Sequence, residues 1–363
     1  MNTDNILEKA IRQINLSFKE ATLLYKNVST SELMFVANEI RNNKVSPNYV
    51  SWMIDRNVNI TNVCISGCKF CNFYCSSKSK KAYITSIDQY IEKIEEMNRM
   101  GGNQLLIQGG LHPELGVDYY VGLFNEFKKR YPGLKLNALG PPEIVHISKI
   151  SGLQITEVLL KLKKAGLDTL PGAGAEILSD RVRNIISPNK CNTFEWLNVM
   201  EIAHQMKIST SATMMFGHIE TIEERISHLI LLRDLQHKKP LNAKGFVSFI
   251  PWPFQDKNTA LKKSKFAIMH NITQEEYIRT IAISRILLNN IDHIQASWLT
   301  VGKETAQVCL HAGADDFGSI MIEENVVSAA GTSHTFNGEG IQKAIRDAGF
   351  FPRRRTQEYQ YID

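Results

Sequence analysis

Short β-rich runs alternate with longer amphipathic segments from residue 57 onward, and this alternation constrains the fold more than any other feature. Strands are predicted at 57–63, 103–108, 134–139, 167–170, 209–216, 245–250, 293–298 and 316–322. Strands that alternate with helices form a parallel sheet, and eight is the number that closes into a barrel. We therefore predict an α/β fold, a (β/α)8 TIM-type barrel, with an open doubly wound sheet as the alternative.

Helical patterns flank the predicted barrel on both sides. Residues 4–44 place apolar side chains at helical spacing, and 29–32 reads as a capping box for a second helix. One more helix is expected near 339–348. The 363 residues also exceed the roughly 250 of a typical single barrel. We therefore predict an N-terminal helical extension at 1–50, the barrel at 51–330, and a C-terminal helix and tail at 331–363 that pack on the barrel.

Composition narrows the possible partners. Lys and Arg number 42 against 37 Asp and Glu, a net charge of +5 that is too weak overall to indicate nucleic acid or a membrane surface. No apolar stretch approaches the roughly 20 residues of a membrane span, and the polar N-terminus does not read as a signal peptide. We expect a cytoplasmic protein with no nucleic-acid partner and no membrane insertion.

Four of the six cysteines lie within twelve residues of each other, and three of them form a C-x3-C-x2-C loop at the end of the first predicted strand. These three are Cys64, Cys68 and Cys71. Three thiolates on one short loop can hold three irons of a [4Fe–4S] cluster. The fourth iron then stays open to chelate the amino and carboxylate groups of S-adenosylmethionine, whose reductive cleavage gives a 5′-deoxyadenosyl radical.

Other interpretations of the cysteines explain less. A structural zinc site normally shows two separated ligand pairs, and no second pair occurs in this sequence. An iron–sulfur electron carrier would need a fourth thiolate, for which Cys75 is the one candidate, although we interpret it as a spare thiol. Cys191 and Cys309 fall in predicted helical elements and are interpreted as small apolar side chains.

Several longer segments carry a family resemblance. They are DRNVNITNVC at 55–64, QGGLHPELG at 108–116, ALGPPEI at 138–144, LPGAGAEILSDRVR at 170–183, TMMFGHIET at 213–221, FIPWPFQ at 249–255 and FGSIMIEENVVSAAG at 317–331. Together they resemble the radical S-adenosylmethionine superfamily, in particular the group that contains the futalosine-pathway enzymes of menaquinone synthesis and the deazaflavin synthases. The segments at 250–254 and 317–331 most resemble the cyclases of that pathway.

The resemblance implies an oxidoreductase that forms a carbon–carbon bond. Its expected substrate is dehypoxanthine futalosine, cyclised after a 5′-deoxyadenosyl radical abstracts the ribose C4′ hydrogen, and its cofactors are a [4Fe–4S] cluster and S-adenosylmethionine. An electron donor such as flavodoxin or ferredoxin is the expected partner. The alternatives are an aminofutalosine synthase, one half of a deazaflavin synthase, or a non-catalytic iron–sulfur protein.

The resemblance also implies roles for individual residues. Cofactor-binding positions are Phe70, Gly109, Gly110, Glu176 and Glu220. Substrate-binding positions near later strand ends are Trp252, Gln295, Ser297 and Asn325. A base must accept a proton during cyclisation, and the candidates are His218, Asp316 and Glu323. Structural roles are the alternative at each position, such as a turn for the glycine pair or a helix cap for Glu176.

Overall fold

The computed structural model describes residues 2–266, 272–325 and 334–362. Three helices come first, α1 (Thr3–Ile11), α2 (Phe18–Asn27) and α3 (Thr30–Lys44). Ser17 and Ser29 begin α2 and α3 with capping boxes, in which the serine hydroxyl accepts from a main-chain N–H and a glutamate accepts in return. The expected helical N-terminus is confirmed, with one more break than the periodicity indicated.

The remaining elements alternate as strands and helices. In chain order they are β1 (Tyr49–Met53), β2 (Arg56–Asn59), α4 (Ile87–Arg99), β3 (Gln104–Gln108), α5 (Val117–Arg130), β4 (Lys135–Ala138), α6 (Pro141–Ser151), α7 (Ile155–Ala165), β5 (Thr169–Leu170), α8 (Asp180–Ile186), α9 (Thr193–Gln205), β6 (Ser209–Phe216), α10 (Ile222–His237), β7 (Phe246–Pro253), α11 (Gln274–Leu287), β8 (His293–Ile294), α12 (Trp298–Val301), α13 (Lys303–Leu310), β9 (Asp316–Ser319), α14 (Gly338–Asp347) and β10 (Phe351–Arg354).

Strands β2 to β8 form one parallel sheet in chain order, and β9 closes it. On one side Asp316 pairs with Gln295 just after β8, and on the other Ile322 pairs with Arg56 at the start of β2. The Asn57 N–H donates to the Ile322 carbonyl at 3.1 Å, which completes the ring. The predicted eight-stranded barrel is confirmed, and each predicted barrel strand overlaps an observed one.

Two strands were not predicted, β1 and β10. They extend β9 into a small parallel sheet in the order β10-β1-β9, at the amino-terminal side of the barrel. The β10 sequence is Phe-Pro-Arg-Arg, which lacks apolar alternation; proline is tolerated because β10 lies at the edge of its sheet. The segment after β10 then turns under the barrel, where the Tyr359 ring stacks on His293 with centroids 3.7 Å apart.

Local differences from the predicted elements have simple causes. Helix α6 was missed because Pro141 and Pro142 resemble a break, yet proline fits the first turn of a helix, where main-chain N–H groups have no helical partner. Strand β8 ends at Ile294 rather than at 298, and Ser297 precedes the short helix α12. The main apolar core lies between the strands and the surrounding helices. None of the described helices is long and apolar enough to cross a membrane.

Candidate active site

The barrel encloses a cavity of about 390 Å³ between its described residues. The loop after β2 bounds it at the carboxyl ends of the strands, and Asp55, Arg355 and Gln357 bound it at the amino ends. Between these limits the wall carries neutral polar side chains from the strands and their ends, namely Asn57, Asn137, Ser211, Ser248 and Gln295. Much of the remaining wall is apolar, so the cavity suits a ligand that combines apolar surface with several hydrogen-bonding groups.

The cysteine loop lies at the mouth of this cavity, and Cys64, Cys68 and Cys71 all line it. All six cysteines are free thiols. The Cys64 sulfur accepts from the Leu111 N–H at 3.2 Å, and the Ser66 hydroxyl lies 2.9 Å from the Cys64 sulfur and 3.3 Å from that of Cys68. Hydrogen bonds to sulfur stabilise and tune cluster thiolates, so this donor set fits a cubane cluster. Within the described residues, no three His, Cys, Asp or Glu side chains are arranged to hold a single metal ion.

The glycine pair after β3 supports the cysteine loop directly. A Cβ on Gly110 would lie 2.1 Å from the Val63 carbonyl oxygen and 2.8 Å from the Cys64 Cβ. The Gly110 N–H donates to the Thr61 carbonyl at 2.8 Å. Any larger side chain at this position would therefore displace the backbone that presents Cys64. Gly109 also lines the cavity, and a Cβ there would lie 3.1 Å from that of Ile60.

A buried ion pair adjoins the cysteines. The Lys190 ammonium lies 2.9 Å from the Glu176 carboxylate and 5.2 Å from the centre of the Phe70 ring, and all three residues line the cavity. Burial would raise the pKa of Glu176, but Lys190 lowers it below the ordinary value, so Glu176 is held as a carboxylate. Lys190 was not predicted, because it lies in a loop without a recognisable motif.

Two further carboxyl groups that the sequence did not indicate line the cavity. Burial raises the pKa of Glu143 to about 7, and it also raises the pKa of Asp55. Glu143 interacts with Lys190 at the cysteine end of the cavity. Asp55 lies at the opposite end, where the Ser319 hydroxyl donates to it. Asp55 begins the 55–64 segment that carries the family resemblance, yet its position before β2 does not indicate that it faces the barrel interior.

His218 and Glu220 are not among the described residues that line the cavity, although they follow β6 as predicted. The buried His218 ring has Nδ1 3.0 Å from the Glu220 carboxylate and Nε2 3.1 Å from the Met215 carbonyl oxygen. Glu220 accepts from the Gly217 and His218 N–H groups at 2.6 and 2.9 Å, and it pairs with Arg225 at 2.7 Å. These contacts occupy the hydrogen-bonding groups of both side chains within the wall, so we retain neither residue as a base or a cofactor ligand.

Asp316, Glu323 and Asn325 are likewise absent from the described cavity lining. The fully buried Asp316 binds Arg355, and Glu323 pairs with Lys93 and, at 2.8 Å, with Arg56. The Asn325 amide donates to Asn59 and to Glu323. These side chains lie in ion pairs and hydrogen bonds of the barrel wall. By contrast, Trp252, Gln295 and Ser297 do line the cavity.

A closed parallel barrel with three cysteine thiols at the mouth of an internal cavity has the architecture of a radical S-adenosylmethionine enzyme. The radical SAM superfamily model matches residues 58–232, and the model described as the CofH/MqnC C-terminal region matches residues 243–363. The chain therefore belongs to the radical SAM superfamily and to its CofH/MqnC group. Enzymes of this superfamily use a [4Fe–4S] cluster and S-adenosylmethionine, as expected from the cysteine spacing.

Full-length relatives support this assignment. A protein of Streptomyces coelicolor named cyclic dehypoxanthine futalosine synthase is 41% identical, covering 98% of this chain and 88% of its own. One of the same name from Halalkalibacterium halodurans is 39% identical, covering 100% and 95%. A 5-amino-6-(D-ribitylamino)uracil–L-tyrosine 4-hydroxyphenyl transferase of Methanosarcina acetivorans is 37% identical, covering 95% and 91%.

Solved structures agree on the fold. The FeFe-hydrogenase maturase HydG from Carboxydothermus hydrogenoformans superimposes with a TM-score of 0.75 at 17% identity, covering 98% of this chain and 80% of its own. Methylornithine synthase gives a TM-score of 0.67 at 18% identity, covering 96% and 97%.

Proposed function

We propose that this radical SAM enzyme cyclises dehypoxanthine futalosine to cyclic dehypoxanthinyl futalosine in menaquinone biosynthesis. The two relatives with that synthase name support the proposal, as does the segment after Ile250, whose Trp252, Pro253 and Phe254 form part of the cavity wall. Aromatic side chains together with the neutral polar residues of the wall suit a substrate that joins an aryl ketone to a ribose.

The observation that carries the proposal is an unpaired hydrogen-bond acceptor on Asn57 in the cavity wall. Its side-chain oxygen is buried and has no hydrogen-bond partner among the described residues. A buried acceptor without a donor costs about 1–3 kcal/mol, so a ligand hydroxyl that donates to it would be stabilised. A ribose supplies such hydroxyls, and Ser211 and Ser248 offer further hydrogen-bonding groups in the same wall.

We assign the residues nearest the mouth to the cofactors. Cys64, Cys68 and Cys71 would hold the cluster, while Phe70, Gly109, Gly110 and Glu176 lie beside them in the cavity wall. When bound, the cluster and S-adenosylmethionine supply the one-electron chemistry that removes a hydrogen atom from ribose C4′. The enclosing barrel wall limits the access of water and of other molecules to that step.

We assign the proton acceptor to Asp55. Bond formation from C4′ to the aromatic ring leaves a proton and an electron to be lost before aromaticity returns. The electron passes to a one-electron acceptor, and the proton needs a base at the substrate end of the cavity. Asp55 lies there, away from the cysteines, and its raised pKa makes it a stronger base than an exposed aspartate. A flavodoxin or ferredoxin would deliver the initiating electron.

The test is turnover of dehypoxanthine futalosine deuterated at C4′ by anaerobically reconstituted enzyme. We expect deuterium in 5′-deoxyadenosine and a cyclic product two hydrogens lighter than the unlabelled substrate. One hydrogen leaves as an atom and the other as a proton. Deuterium-free 5′-deoxyadenosine, or no cyclic product, would overturn the cyclase assignment and leave the radical enzyme class intact.

A second candidate follows from the transferase of Methanosarcina acetivorans, whose identity to this chain is only a few per cent lower. An enzyme of that type would join a tyrosine-derived fragment to 5-amino-6-(D-ribitylamino)uracil. Incubation with tyrosine and this uracil under the same conditions distinguishes the two. Product from that pair, with none from dehypoxanthine futalosine, would favour the transferase; an aminofutalosine synthase would use neither.

A further inference from the structure

The positive charge of this chain is concentrated around the cysteine loop. Segments 65–84 and 255–266 contain eight lysines, no arginine and a single acid, Asp256, for a net charge of +7. Because the whole chain carries only +5, the remaining residues sum to −2. We call the surface formed by these two segments the lysine patch. Its lysines are Lys69, Lys78, Lys80, Lys81, Lys257, Lys262, Lys263 and Lys265.

The two segments are joined into one surface. The Leu261 N–H donates to the Lys69 carbonyl at 2.7 Å, and the Asn72 amide donates to the Lys257 carbonyl at 2.9 Å. The Phe266 ring lies 5.3 Å from the Lys69 ammonium and 5.9 Å from that of Lys265. These contacts join residues 69–72 to residues 257–261, so two segments that are far apart in sequence adjoin beside the cysteine loop.

These charges are mostly uncompensated. Seven of the eight lysines are exposed, with Lys69 half-buried. Among the described residues, the one ion pair on this surface joins Lys262 to Asp256 at 2.7 Å. Holding like charges together costs free energy and does not help folding, so a surface of this kind favours an oppositely charged partner.

The lysine patch includes part of the cysteine loop, and this position indicates the function of the partner. Segment 65–84 includes Cys68 and Cys71, and Ile65, between Cys64 and Cys68, is 51% exposed. Tyr74 is 41% exposed on the same segment. Apolar and aromatic side chains surrounded by charges are typical of protein interfaces. A protein that covers this face would therefore lie directly against the loop proposed to hold the cluster.

We propose that the lysine patch docks an acidic one-electron carrier protein for electron transfer into the cluster. This inference rests on the proposed function only in requiring an external electron to start turnover. A polyanion such as RNA or an anionic membrane would also be attracted to lysines, but neither accounts for the coincidence of the patch with the cysteine loop.

The test is the rate at which a reduced acidic ferredoxin bleaches the oxidised cluster, followed by stopped-flow absorbance. The patch variant Lys78→Glu/Lys80→Glu/Lys81→Glu should lower the second-order rate constant by about tenfold or more at low salt, with a weaker dependence on ionic strength than wild type. A second patch variant, Lys257→Glu/Lys263→Glu/Lys265→Glu, changes the other segment and should lower the rate constant in the same way.

The matched control is Lys19→Glu/Lys129→Glu/Lys164→Glu, which makes the same change in net charge at exposed sites on α2, α5 and α7. We expect it to keep the ferredoxin rate within about twofold of wild type, because electrostatic steering depends on where the charge lies. Reduction by methyl viologen, a small cation, should not slow in either patch variant, and iron content checks that the clusters are intact.

Equal ferredoxin rates in wild type and both patch variants would overturn the proposal. The proposal would also be overturned if both patch variants lost binding to anionic vesicles or RNA while their rates of reduction by ferredoxin stayed unchanged. Failure of the cyclase assignment looks different, because the wrong product would form with every reductant while the ferredoxin rates still depended on the patch.

Discussion

Arg355 binds both carboxylate oxygens of Asp316, with Nε 2.5 Å from Oδ2 and Nη2 2.8 Å from Oδ1. Both side chains are buried, and Asp316 also accepts from the Ser51 hydroxyl and the Gly318 N–H. Arg355 follows β10 and Asp316 begins β9. The pair therefore connects the C-terminal segment to the strand that closes the barrel, beneath the cavity.

Arg355→Ala should destabilise the protein by about 3–5 kcal/mol, because it leaves the Asp316 charge buried and uncompensated. Urea denaturation would measure this free energy of unfolding. Arg99→Ala, at an exposed arginine on α4, should cost less than about 1 kcal/mol. The double variant Asp316→Asn/Arg355→Gln should recover part of the loss, since it removes both charges. A loss below about 1 kcal/mol in Arg355→Ala would show that the pair does not stabilise the attachment of the C-terminal segment to β9.

Alanine at Cys64, Cys68 or Cys71 should abolish the cluster, whereas Cys75→Ala should keep the full iron content. The structure supports the distinction, because Cys75 joins Val63 in a backbone bridge and is not among the described residues lining the cavity. Iron and sulfide analysis after anaerobic reconstitution measures the result. Cluster loss in Cys75→Ala would revise the proposed ligands.

Asp55→Asn should lower the rate of cyclic product formation by about 100-fold, the scale of general-base catalysis. Deuterium transfer from C4′ to 5′-deoxyadenosine should continue, because hydrogen abstraction precedes the proton transfer. Ser319→Ala serves as the matched variant, since it removes the hydroxyl that donates to Asp55 and retains the carboxylate; its effect should be smaller. Wild-type product formation in Asp55→Asn would exclude Asp55 as the base.

His228 should make stability depend on pH in the acid range. Burial lowers its pKa to about 3, and the ring nitrogens bond the Leu178 N–H and the Thr213 carbonyl, each at 3.0 Å. The unfolded chain takes up a proton near pH 6.5 that the folded chain excludes, so stability falls as pH falls from about 6.5 toward 3. His228→Gln should be less stable at pH 7, with a slope between pH 6 and 5 that is smaller by about 1.2 kcal/mol per pH unit.

Urea denaturation at pH 5, 6 and 7 measures that slope. His237→Gln, at an exposed histidine on the same helix α10, should keep the wild-type slope. An unchanged slope in His228→Gln would mean that His228 is not the group that titrates differently in the folded and unfolded states.

The pattern-based predictions succeeded where the signal is local. The barrel strands were found because apolar periodicity extends over a few residues, and the cysteine loop because its ligand spacing lies within eight residues. Strand β10 was missed because its pairing with β1 joins residues about 300 positions apart, and Phe-Pro-Arg-Arg carries no strand pattern of its own. Lys190, Glu143 and Asp55 were missed for the same reason, since their place in the cavity depends on distant segments.

The sequence by itself determined the succession of strands and helices and the spacing of the three cysteines, because both depend on short-range geometry. Only the tertiary structure decided which polar side chains face the cavity. His218 and Glu220 follow a barrel strand, as active-site residues do, yet Arg225 and the local backbone hold them in the wall. A buried charge needs an oppositely charged partner beside it. The partner of Asp316 is Arg355, and the position of the segment that carries Arg355 is decided only when the barrel closes.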